Sequence, residues 1–145
     1  MQVRQARDPY ENGKPPGTAV FVVNADGSEE RRLTDPEMFA GEADWSPDGK
    51  WIVFATYPLG EFNASSPEPS NLHRIHPDGS GMEQLTHNET ADLRAVQPQY
   101  TPDGKWIVFT SETLSSRSLW AIPAGGDEPI VLAPGGIYTH GAWQP

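Results

Sequence analysis

Short runs in which apolar residues alternate with polar ones, each closed by a Gly-containing turn, recur along the chain and predict β-hairpins. Three such segments superimpose, at residues 20–34 (VFVVNADGSEERRLT), 71–86 (NLHRIHPDGSGMEQLT) and 118–133 (SLWAIPAGGDEPIVLA). Each reads as a run, a turn and a second run ending in Leu33, Leu85 or Leu132. The pairs Asp26-Gly27, Asp78-Gly79 and Gly125-Gly126 supply the positive φ that a tight hairpin turn needs. One hairpin earlier, the string PDGKWIVF at residues 47–54 returns letter for letter at 102–109, preceded by Trp45-Ser46 and Tyr100-Thr101. The run leaving that turn is apolar at successive positions, which predicts a strand covered on both faces.

The second copy starts 55 positions after the first, at 102 against 47, close to the roughly 40–50 residues of a four-stranded propeller blade. With the strands of a blade lettered A to D, the pattern predicts A over residues 42–46, B over 51–56, C over 71–76 and D ending at 84–86. A second blade takes 97–101, 106–111, 118–122 and 130–133. The predicted organisation is one partial β-propeller. Residues 1–34 hold strands B to D, with B over 2–6; 35–86 and 87–133 are blades; 134–145 is strand A of the next blade, where Trp143 and Pro145 match Trp45 and Pro47. Three blades cannot close a ring, which takes about four to eight. The expected assembly is a homodimeric six-bladed ring in which strand A of one copy completes the first blade of the other. The alternative is a piece of a longer propeller.

The residues Trp45-Ser46-Pro47-Asp48-Gly49-Lys50-Trp51-Ile52-Val53-Phe54, with Asp78-Gly79-Ser80 and Gln84-Leu85-Thr86 downstream, resemble the repeat of TolB-like β-propellers, the WD-repeat-like blades of TolB and tricorn-type proteins. The resemblance spans residues 20–145. It implies an all-β propeller of antiparallel four-stranded blades in a bacterial protein, with the periplasm as its compartment. It leaves activity open, because such repeats occur in TolB, which binds envelope partners, in the propeller domains of prolyl-oligopeptidase-type and tricorn-type peptidases, and in metal-dependent oligogalacturonate lyases.

Charge narrows the partners. A formal net charge of −10 excludes nucleic acid and anionic lipid as the natural target, since phosphate contacts need a basic patch. No apolar run approaches the roughly 18 residues of a membrane helix, so no membrane insertion is expected. Cysteine is absent, which removes thiolate and disulfide chemistry. The first seven residues, MQVRQAR, lack the apolar core of a secretory signal, so the protein is either cytoplasmic or has lost a leader. No Gly-x-Ser-x-Gly elbow, His-Glu-x-x-His pair or phosphate loop occurs.

Propellers gather their longer B–C and D–A connections around one mouth of the central channel. Here those connections are residues 57–70 and 87–96, and ligand contacts are expected on that face. Equivalent positions near the start of strand A form a ring of Glu42, Gln97 and His140. Imidazole with carboxylate and amide oxygens suits a divalent metal, and the oligogalacturonate-lyase resemblance implies a metal-binding role for His140. The preferred reading has no cofactor there, only a solvated polar mouth. His87, Glu89 and Arg94 in one long connection, and Tyr57 and Phe62 in the other, are further contact candidates. His73 and His76 are three apart, on opposite faces of a strand, and cannot chelate together. The tryptophans recur at repeat positions and read as blade packing. The function expected is a non-enzymatic scaffold that binds a protein or peptide through the long-connection face. The alternatives are a metal-dependent carbohydrate-active enzyme with its site at the channel mouth, and an orphan propeller fragment whose only role is assembly.

Overall fold

Eleven strands form three antiparallel sheets in a computed structural model that describes residues 1–7, 17–57, 69–90, 93–113 and 115–136. Strands β1 (Gln2–Arg7), β2 (Thr18–Val23) and β3 (Arg31–Arg32) make the first. Strands β4 (Ala40–Trp45), β5 (Ile52–Thr56), β6 (Asn71–Ile75) and β7 (Glu83–Gln84) make the second. The third holds β8 (Arg94–Tyr100), β9 (Trp106–Glu112), β10 (Arg117–Pro123) and β11 (Ile130–Gly136). Each sheet is a meander with its strands in chain order, the topology of a propeller blade. Glycines at the turns hold the required conformation: Gly49 and Gly104 both lie at φ 70°, and Gly27, Gly79 and Gly126 at 84°, 90° and 82°.

Two apolar seams hold the blades face to face. Val20 and Val22 of the first blade pack on Ala40, Ile52, Phe54 and Ile75 of the second. Val53, Ala55, Leu72 and Leu85 of the second pack on Ala95, Tyr100, Ile107, Phe109 and Ile122 of the third. Strand β5 therefore has both faces covered and is buried at every position, as its unbroken apolar run predicts. Polar locks supplement the seams. Arg31 donates to the carbonyl of Pro77, and Arg74 to that of Ala124 at the matching turn of the next blade. Arg74 also stacks on Trp51, 3.9 Å from the ring centroid.

The outermost strands of the first two blades end alike. Thr34 Oγ1 accepts the N–H of Val20 and Thr86 Oγ1 that of Leu72, each at 2.9 Å and buried. A hydroxyl thus replaces the backbone carbonyl where strand D peels away. The third blade has Ala133 at that position, and there β11 stays paired to β10 through two register shifts.

Two sequence expectations need correction. Strand A begins earlier than predicted, at Ala40 and Arg94, so Glu42 and Gln97 lie within β4 and β8 and not at their starts. The reason is a bulge: both residues take positive φ, 54° and 55°, and the pairing shifts register between Gly41 and Asp44 and between Val96 and Gln99. The bulge breaks the alternation that sequence reading relies on. Arg94 consequently sits on a strand, paired with Glu112, and not in a connecting loop.

Candidate functional site at the long-connection end of the blades

The bulges in β4 and β8 leave an N–H turned out of the ladder, and a side chain from the preceding blade takes each one. Gln5 Oε1 accepts from Glu42 N at 3.1 Å, and Glu42 Oε2 accepts from Gln97 N at 2.8 Å. Gly41 makes room for the first contact, since a Cβ there would fall 2.4 Å from Gln5 Oε1. Two residues along, Asp44 Oδ2 accepts from Tyr100 N at 2.9 Å. A series of carboxylate-to-backbone bonds thus stitches the inner strands of the second and third blades together.

Around Glu42 the polar groups of two blades converge. The Tyr57 hydroxyl donates to Glu42 Oε2. The Arg94 guanidinium lies 5.4 Å from the Tyr57 ring centroid and 3.8 Å from Glu112 Oε2, while Arg117 pairs with Glu112 Oε1 at 2.5 Å. Thr110 Oγ1 donates to Gln97 Oε1 at 3.4 Å. Burial, and then the charge of Glu42 and its hydrogen bond, push the Tyr57 phenol far above the ordinary tyrosine range, with Arg94 opposing. Tyr57 is therefore a neutral donor at physiological pH. It can orient Glu42 or a ligand, but it cannot act as a base or nucleophile there.

Four sequence candidates, Glu42, Tyr57, Arg94 and Gln97, thus belong to one cluster. His87 and Glu89 are exposed on the connection that follows β7, outside these contacts. Between them Asn88 is pinned: its backbone N–H donates to Asn71 Oδ1 at 2.7 Å and its side chain to the Ser70 carbonyl at 3.0 Å. Phe62 and His140 lie outside the described residues. Among the described residues no three His, Asp or Glu side chains converge as a metal-ligand set. His73 stacks on Phe54 and burial lowers its pKa, while His76 stacks on Trp51, with 3.8 Å between centroids. Both are packing residues. Sequence reading missed Glu112 and Arg117, although the repeat carries a signal for the first: the 55-residue offset places Glu112 where Tyr57 stands one blade earlier.

No protein family model matches the chain. Among curated proteins it is 32% identical over 140 residues to the uncharacterized protein Atu1656 of Agrobacterium fabrum, covering 95% of this chain and 41% of that protein. It is 34% identical over 95 residues to the dipeptidyl-peptidase 5 of Porphyromonas endodontalis, matching 66% of this chain but 12% of the peptidase. Against the uncharacterized peptidase YuxL of Bacillus subtilis the figures are 26% over 118 residues, with 18% of that protein covered. The chain thus spans less than half the length of these relatives. Among solved structures it is similar to one assigned as TolB from Agrobacterium tumefaciens, with a TM-score of 0.65, 23% identity, and coverage of 81% of this chain and 43% of the other. TolB from Acinetobacter baumannii follows at a TM-score of 0.62 and 16% identity over 90% of this chain and 30% of that one. For the tricorn protease the TM-score is 0.54 at 14% identity, over 93% of this chain and 11% of the protease. The repeat, the meander topology and these likenesses converge on one identification: the chain has the fold of a TolB-like β-propeller, present here as consecutive blades.

Proposed function

We propose that these blades form a non-enzymatic binding module that takes a protein or peptide partner on the long-connection face, with Glu42, Tyr57, Arg94 and Gln97 at the centre of the contact and His87 and Glu89 at its rim. One observation carries the reading. The Tyr57 hydroxyl of one blade and the Gln97 backbone N–H of the next converge there on Oε2 of Glu42, an exposed carboxylate. Such a cluster is rigid enough to present a fixed polar pattern, and its one phenol is held neutral. The TolB-like fold supports a scaffold role, and the resemblance makes the periplasm the compartment in which we place it. No helix among the described residues is long and apolar enough to cross a membrane.

The test is selection of peptides from a displayed random library against the full chain, followed by titration of the enriched sequences. Peptides specific for this face should bind Glu42→Gln and Tyr57→Phe about tenfold or more weakly, the loss of one hydrogen bond to a charged group, while the melting temperature holds within a few degrees. If no enriched peptide is sensitive to either change, the long-connection face is not the binding surface. A stoichiometric divalent ion that is lost in His140→Ala would instead establish the metal-dependent alternative.

A further inference from the structure

The outer edge of the third blade breaks a rule that the other two keep. Strands β3 and β7 are two residues long and carry Arg31-Arg32 and Glu83-Gln84, the short polar edges that prevent a sheet from adding a foreign strand. Strand β11 runs for seven residues, IVLAPGG, without a charged side chain. Ile130 and Val131 stand where the sister edges place arginine, glutamate and glutamine, and each is 48% exposed. The exposure of Leu132 has a separate cause, because its counterparts Leu33 and Leu85 lie against Gly79 and Gly126, turns of the following blade.

We propose that the free edge of β11 is a second docking site, distinct from the long-connection face, that takes an extended apolar segment as an added antiparallel strand with Lys or Arg immediately after it. Among the described residues, no strand pairs with the outer edge of β11, and an antiparallel addition continues the meander. Pro134 has no N–H to offer, so pairing is confined to residues 130–133. Just ahead of the strand lie the exposed Asp127 and Glu128. The C-terminal end of an antiparallel partner passes beside them, which is where cationic side chains gain most, and the net charge of −10 adds long-range attraction. A second copy pairing β11 on β11 fits less well, because its own β11 is uncharged and offers Asp127 and Glu128 no cation.

Fluorescence anisotropy with two labelled peptides on the full chain tests this: acetyl-Thr-Val-Thr-Val-Lys-Lys and its counterpart with the lysines first. The first should bind about fivefold more tightly at low salt, as one or two exposed ion pairs warrant, and the difference should shrink as salt is raised. Val131→Lys restores the charged edge of the sister blades and should abolish binding with the melting temperature unchanged. Ile130→Lys serves the same purpose if that variant does not fold. Equal binding of the two peptides, binding that survives both substitutions, or a dimer that dissociates on Val131→Lys would overturn the proposal. Glu42→Gln leaves this edge untouched, so it separates the present site from the long-connection face.

Discussion

Asp44 is a half-buried carboxylate with a structural purpose. It lies between two inner strands, accepting the Tyr100 N–H at 2.9 Å, yet its pKa is raised because loss of solvent outweighs that bond and a second from Trp45 N. A raised folded-state pKa means that the fold favours the protonated form. The contribution to stability is then whole below the unfolded value of about 3.9 and is lost as pH rises through the folded pKa. Asp44→Asn keeps an oxygen for Tyr100 N without the charge. Its stability in urea should match that of the wild type near pH 3 and exceed it at pH 7, the gap opening across the interval between the two pKa values and then levelling. A gap that is absent or reversed at pH 7 would mean that the carboxylate is better solvated than its position implies. The site was legible where its residues obey the repeat, as Glu42 and Gln97 do. Asp44 was not, because a neighbouring blade supplies its burial and no local pattern records that.

At the level of the strand, the hydroxyl that ends strand D is the repeated device with the most direct consequence. Thr34 and Thr86 each cap a buried N–H of strand C, and Thr86 also donates to Asn71 Oδ1 at 2.9 Å, which in turn accepts from Asn88 N. Replacing either by Ala orphans a buried donor, a loss of about 1–3 kcal/mol. Thr86→Ala should be the more costly in chemical denaturation, because it also removes the donor to Asn71 and loosens the pinned start of the connection bearing His87 and Glu89. Equal losses would mean that the Asn71 network is held by its backbone partners alone. Most elements were legible because turn chemistry and alternation agree, as in β5, β6 and β9. The errors fell at the bulges; at strand D, β3 and β7 pair for two residues only and a side chain stands in for the ladder. The longer β11 is the exception, and Ala133 in place of threonine is the residue that permits it.

For the whole molecule, the question raised by the blade count is which faces remain to be covered. Inside the chain, every covered blade presents the same apolar set toward the blade before it: Ile52, Phe54 and Ile75 in the second, Ile107, Phe109 and Ile122 in the third. The register of β1 on β2 places Gln2 and Arg4 at the positions of Ile52 and Phe54. The first blade's outward face therefore sets Gln2 and Arg4 beside the half-buried Val23 and Phe21, with Arg4 paired to Glu30 and 5.9 Å from the Phe21 ring centroid. The third blade's outward face carries the half-buried Val108 and Leu119. A ring closed by a second copy would bring these two faces together and would have to desolvate Arg4. The double substitution Gln2→Ile with Arg4→Phe gives the first blade the face that the internal blades use. If a second copy closes the ring, burial of the added Phe, about 1.5–3 kcal/mol, should raise the association constant measured by sedimentation equilibrium by tenfold or more. A mass that stays monomeric in both forms at every concentration would rule out closure through these faces.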